Sequence, residues 1–175
     1  KSKDLIKKVA SGGVFSICAE NILNRGGIVY GAAFIQGCHV KHIRVDSLKE
    51  LWKIQGSKYV QSEIADSYQR VKVDLQSGKD VLFSGTPCQI AGLKNFLRKE
   101  YDNLYTIDLI CHGVPSQRMF QDYLATISPE PIDYFVFRDK TRGWRDFFLL
   151  WKENGKNKRI HNRLSSYYRL FLTGE

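Results

Sequence analysis

The chain has 175 residues, enough for one ordinary core and short for two, so a single α/β domain over 1–175 is expected. No apolar run is long enough to span a bilayer and no signal-peptide core is present, which points to a cytoplasmic protein. Four scattered cysteines with no C-x-x-C pair and no ferredoxin-type run exclude a disulfide scaffold and a locally spaced cluster site.

Lys and Arg outnumber Asp and Glu by 27 to 18, a net charge of +9. Ten of the basic and four of the acidic residues fall between Arg138 and Glu175, inside a basic, strand-rich part of the same domain at 129–175. Such a surface attracts phosphates, an acidic partner subunit or nucleic acid, and a merely solvated face carries the same sign. No recognised nucleic-acid-binding motif accompanies it, so nucleic acid is not the expected partner. The chain opens on Lys1 and closes on Glu175 directly after an apolar helical pattern, so it is expected to be a segment of a longer one.

The first predicted element is a helix from about Gly13 to Asn24, with apolar residues at helical spacing and a stop at Arg25-Gly26-Gly27. A small-residue strand, Ile28 to Phe34, turns at Gly37-Cys38 into a second strand, Val40 to Val45, in a hairpin. Ser47-Leu48-Lys49-Glu50 has capping-box spacing and predicts a short helix through Ile54. A polar loop, Gln55 to Ser62, leads to a stripe of Ile64, Tyr68, Val71 and Leu75 that predicts a helix ending at Ser77-Gly78. Two strand-to-helix units follow. The first runs from Asp80-Val81-Leu82-Phe83 through Gly85-Thr86-Pro87-Cys88-Gln89 into a helical pattern from Ile90 to Lys99. The second runs from Thr106-Ile107-Asp108-Leu109-Ile110 through Cys111-His112-Gly113-Val114-Pro115-Ser116 into another helix. Aromatic strands at Asp133 to Arg138 and Asp146 to Lys152, a turn at Asn154-Gly155 and a helix from Arg163 to Thr173 complete the order. That order predicts a mixed sheet, parallel in its centre and antiparallel at its edges, with helices on its faces.

If the two cysteine-bearing strands are parallel neighbours, Cys88 and Cys111 share the carboxyl edge of the sheet, where open α/β sheets bind ligands. Pro at the first helical position sets Cys88 at the positive helix end, a place that favours the thiolate a metal or an electrophile needs. A small buried structural cysteine is the plain alternative. At Cys111-His112 three readings stand: nucleophile chemistry, metal or cluster ligation, and simple helix entry. Adjacent residues face opposite ways, so a Cys88 nucleophile with His112 as base is the combination that a cysteine-dependent transferase or hydrolase would use.

Ser11-Gly12-Gly13 at a helix start is a candidate anion cradle, although taken alone the motif reads first as an ordinary N-cap followed by permissive glycines. Lys58 and Gln61 could hold a phosphate or ring carbonyl and Tyr59 could stack on a planar ring, although loops of this composition are often connectors. Cys18 and Cys38 read as structural, and surface positions suffice for His39, His42 and His161.

Five ordered segments carry a resemblance: Ala10 to Phe15, Gly31 to Phe34, Gly56 to Ser62, Val81 to Gln89 and Cys111 to Ser116. In that order they resemble the beta-subunit family of coenzyme F420 hydrogenases and dehydrogenases. The resemblance implies an iron-sulfur flavoprotein module, with FAD beside a [4Fe-4S] cluster, that passes electrons between the cluster and a two-electron carrier with a redox partner protein or subunit. It implies flavin contacts at Ser11, Gly12 and Gly13, at Lys58, Tyr59, Gln61 and Ser62, and at Gly85, Thr86 and Gln89, with Cys88 and Cys111 as cluster ligands. Many relatives carry a ferredoxin-like segment and a C-x-x-C pair that are not in this chain, so its own cluster site is expected to be incomplete.

Overall fold

The structure is a computed structural model and describes residues 13–173. In chain order the elements are α1 (Val14–Asn24), β1 (Ile28–Phe34), β2 (Val40–Val45), α2 (Ser67–Gln76), β3 (Val81–Gly85), α3 (Pro87–Leu97) and β4 (Leu104–Asp108). These are followed by α4 (Gln117–Ile127), β5 (Tyr134–Asp139), β6 (Phe148–Glu153), β7 (Lys156–His161) and α5 (Ser166–Thr173). Among the described residues the chain divides into two compact units, one of residues 13–33, 41–55 and 62–112 and one of 34–40, 56–61 and 113–173.

The first unit is built on a four-stranded sheet of order β2-β1-β3-β4, parallel through β1, β3 and β4 with β2 as an antiparallel edge. Strands β1 and β3 are apolar without alternation because both faces are covered. Side chains alternate between faces along a strand. Val29 and Leu82 accordingly join Ala19, Ile22, Leu23, Val45, Leu51 and Ile54 in one core cluster. Their neighbours Ile28, Tyr30, Val81 and Phe83 join Val71, Leu75, Ile90, Leu93 and Leu97 in another. The fold class is the one read from the sequence.

The C-terminal aromatic strands do not extend that sheet. They form their own antiparallel sheet of order β5-β6-β7. Phe120, Phe135, Phe137 and Tyr167 are its core, with ring centroids 4.9–5.8 Å apart. The β6–β7 hairpin closes through Asn154 and Gly155, both left-handed at φ 47° and 74°, as a two-residue turn between twisted strands requires.

Three boundaries differ from the sequence reading. Ser47 to Glu50 forms turns that lead into a 3-10 segment, Leu51–Ile54, rather than a capped α-helix. Helix α2 starts at Ser67, after Ala65, whose φ of 45° interrupts the helical stripe that begins at Ile64 in the sequence. Asn162–Leu164 is 3-10, so the last α-helix begins at Ser166. Among the described residues no helix is long and apolar enough to cross a membrane.

Candidate functional site

Strand β3 pairs with β4 in parallel from Val81↔Leu104 to Gly85↔Asp108, and Leu109 N–H adds a bond to Gly85 O at 3.0 Å. Cys88 and Cys111 each follow the last paired residue of their strand by the same interval, from 85 to 88 and from 108 to 111. Both turns therefore leave the sheet at its carboxyl edge, and both cysteines are exposed, as is His112.

The first turn is shaped from within. Thr86 caps α3, Pro87 occupies its first turn, and Gln89 completes a capping box by accepting from Thr86 N–H at 3.1 Å. Cys88 then lies in the first helical turn, with its Sγ 3.1 Å from Thr86 Oγ1. Gly85 is a close-packing glycine: a Cβ there would lie 3.0 Å from Gln89 Oε1 and 3.2 Å from the Phe83 ring.

Gln89 is held in turn. Its Nε2 donates to Ser62 Oγ at 3.0 Å and to Ser62 O at 3.2 Å, and its carbonyl accepts from Tyr68 O–H at 2.7 Å. Behind Ser62 stands His42, 2 % exposed and stacked on Phe83 at 4.9 Å between ring centroids. His42 Nε2 lies 2.9 Å from Ser84 O, which can only accept, so that nitrogen carries the hydrogen. Nδ1 is then the acceptor for Ser62 O–H at 2.9 Å. Every partner is satisfied by a neutral imidazole, and burial pulls the His42 pKa below its ordinary value.

The surface position expected for His42 is thereby corrected to a buried one. Its strand, Val40–Val45, has only partial alternation, and its neighbour Lys41 forms a bridge to Glu63 that brings the 62–63 segment alongside. A contact between positions 42 and 62 carries no local sequence signal. His39 is exposed, and His161 is half-buried with Nε2 2.6 Å from Asp146 Oδ1.

Of the residues singled out in the sequence, Ser62, Gly85, Thr86, Cys88 and Gln89 thus meet in one hydrogen-bonded constellation in the first unit. Lys58, Tyr59 and Gln61 fall in the second unit. Lys58 is half-buried, and desolvation draws its ammonium down to about 7. The Tyr59 ring has Phe137, Tyr168 and Phe171 as neighbours at 5.3–5.9 Å, and its carbonyl accepts from Tyr167 O–H at 2.6 Å. Gln61 is exposed, with its N–H donating to Pro115 O at 2.9 Å. Gly13 is the left-handed N-cap of α1 at φ 87°, while Ser11 and Gly12 lie outside the described residues. Cys18 packs against the first core cluster. Cys38 is buried with its Sγ 3.5 Å from Ile132 O, and burial pushes its thiol up to about 11. Among the described residues no three His, Cys, Asp or Glu side chains are grouped so as to hold a metal ion.

A family model for the C-terminal part of the coenzyme F420 hydrogenase/dehydrogenase beta subunit matches residues 78–170, more than half of the chain and both cysteine turns. The chain belongs to this family. No curated protein matches this beta-subunit-family chain. Among solved structures it is similar to a chain of the F420-reducing [NiFe] hydrogenase complex from Methanosarcina barkeri, studied as a xenon derivative, with a TM-score of 0.60 and 16% identity. The match covers 96% of this chain and 60% of that one. At this identity the likeness is one of fold, and the family member described here spans 60% of its structural neighbour's length.

Proposed function

We propose that this family member is a flavin-dependent electron-transfer module of an oxidoreductase. It passes electrons between an iron-sulfur cluster and a hydride carrier, coenzyme F420 or another two-electron acceptor, beside a redox partner subunit. The observation that carries the reading is the family match over residues 78–170, which spans two exposed cysteine turns on neighbouring parallel strands. Bound FAD would supply the exchange between hydride transfer and single-electron transfer.

The side chains of Ser62 and Gln89 are committed to each other and to the turn, so their part in flavin binding is to shape the backbone at Gly85 and Thr86. Gly13 would contribute its backbone at the start of α1. Cys88 and Cys111 supply two thiolates where a [4Fe-4S] cluster takes four, and no described group of three ligands completes the set. The two cysteines therefore make half a site, with the remaining ligands from other segments or a partner.

Anaerobically purified full-length protein is expected to show flavin absorbance, with iron and sulfide in matching amounts. Cys88→Ser and Cys111→Ser should each lower iron content while flavin is retained. Colourless protein that takes up neither FAD nor iron and sulfide on reconstitution would overturn the reading.

A further inference from the structure

The chain of hydrogen bonds that links the protein interior to the Cys88 turn is directional. Starting from the turn, Thr86 N–H donates to Gln89 Oε1, Gln89 Nε2 donates to Ser62 Oγ, Ser62 O–H donates to His42 Nδ1, and His42 Nε2–H donates to Ser84 O. All four links lie between 2.9 and 3.1 Å. It begins at the cap of α3 and ends on the backbone of β3, one residue before Gly85. The two ends of the strand-to-helix turn are therefore tied together through a side chain on β2 and a residue of the 62–63 segment.

The geometry points to His42 as a positioning residue for the Cys88 thiol, acting through Ser62 and Gln89. The imidazole is suited to the task because its two nitrogens bridge an acceptor and a donor on opposite sides of a rigid ring. That ring is fixed by stacking on Phe83 and is closed from solvent. A hydrogen bond gained at one end leaves no unsatisfied group at the other, which is the condition for a buried polar network to rigidify rather than weaken its surroundings. The capping box then transmits the position to the first turn of α3, where Thr86 Oγ1 contacts the Cys88 sulfur. Gly85 permits it: any Cβ at that position would press on Gln89 Oε1, the atom that closes the chain. The purpose of a fixed thiol, ligation of iron, rests on the proposed function, whereas the positioning itself does not.

The test is the alkylation rate of each cysteine by iodoacetamide in full-length protein stripped of any bound iron, resolved by mass spectrometry of peptides. The four cysteines report separately: Cys88 on the turn, Cys111 on the neighbouring one, Cys18 on opening of the first unit and Cys38 on opening of the second. Ser62→Ala and the uncharged Gln89→Met cut the chain at different links, and each should accelerate Cys88 about fivefold, the size of one net hydrogen bond, with the other three unchanged. His42→Gln keeps a donor but misplaces the acceptor and should behave like Ser62→Ala. His42→Asn, whose Oδ1 can occupy the place of Nδ1 but which gives up the Nε2–H bond to Ser84 O, should fall between the wild-type rate and that of His42→Gln. Unchanged Cys88 in Ser62→Ala and Gln89→Met, or in His42→Gln, would overturn the inference. So would a parallel rise at Cys88 and Cys18, because it would show that the network only stabilises the first unit. Wild-type protein without flavin or iron would overturn the electron-transfer reading and leave this comparison intact.

Discussion

A buried histidine held neutral makes stability depend on pH in a defined direction. Burial places the folded pKa of His42 below the ordinary value of 6.5, so the folded state binds that proton less readily than the unfolded chain. The stabilisation is complete above about pH 6.5 and is lost as the pH falls below it toward the folded pKa. His42→Gln removes the titrating group. It should cost about 1–3 kcal/mol near neutral pH through the lost acceptor and ring stack, and flatten the slope on the acid side. Urea denaturation of both proteins at about pH 7.5 and about pH 5.5 measures this, and equal slopes would refute it. Glu153 provides the opposite sign in the second unit. Lys158 foremost, then Ser128 and Trp151, hold its carboxyl at about 2, below its ordinary 4.5. Its stabilisation is present above 4.5 and is lost as the pH falls through that value toward about 2. Glu153→Gln should therefore lower the thermal midpoint at neutral pH and lessen the loss of stability between those two values.

At the scale of elements, the four-stranded sheet depends on close backbone approach where α1 hands over to β1. Ile28 N–H donates to Asp80 O at 2.8 Å, and a Cβ on the preceding Gly27 would lie 2.6 Å from that same carbonyl oxygen and 2.7 Å from Ile22 Cγ2. The first neighbour is backbone and cannot turn aside. Gly27→Ala should thus destabilise the protein by roughly 2–3 kcal/mol, read from urea unfolding. Gly26 has open space around it and φ of 75°, so Gly26→Ala should cost only about 1 kcal/mol of backbone strain. Equal losses at the two positions would contradict the packing argument. The same logic of approach explains Gly92, where a Cβ would meet Tyr68 Oη at 2.9 Å, the hydroxyl that bonds Gln89 O.

For the molecule as a whole, the charge asymmetry gives a consequence measurable without a ligand. The second unit carries Arg142 and Arg159 over the Phe148 ring at 5.2 and 4.7 Å, and Arg138 and Lys140 over Trp144 at 4.6 and 4.4 Å. Arg142 and Arg159 are exposed, so stacking on the aromatic face holds them at the surface with their charge in solvent, while Arg138 and Lys140 are half-buried. A chain of net charge +9 with this clustering should bind a cation exchanger at neutral pH and elute only with added salt. The double reversal Arg142→Glu with Arg159→Glu lowers the formal charge by four and should move elution to clearly lower salt. Reversing the same number of charges at Lys72 and Lys94 of the first unit should move it less, and equal shifts would show that net charge alone decides retention.

The sequence by itself determined the fold class and the place of the two cysteines, because those rest on local signals. Uninterrupted apolar runs mark strands covered on both faces, Gly-Thr-Pro and Gly-Val-Pro stop them, and equal intervals carry Cys88 and Cys111 to the same edge once β3 and β4 are parallel. The family was equally legible, since ordered motifs need no contact to be known; of the five quoted, Val81 to Gln89 and Cys111 to Ser116 lie within the matched residues 78–170. Three things were decided only in three dimensions. The aromatic strands formed a sheet of their own because Phe34, Phe120 and Tyr167, far apart along the chain, pack with Phe137 into one core. Ala65 took a left-handed conformation that no helix propensity announces. His42 was buried against Phe83 and Ser62 because β2 lies beside a segment twenty residues on, and a hydrogen bond across that separation depends on the closing of the whole unit rather than on any residue near it.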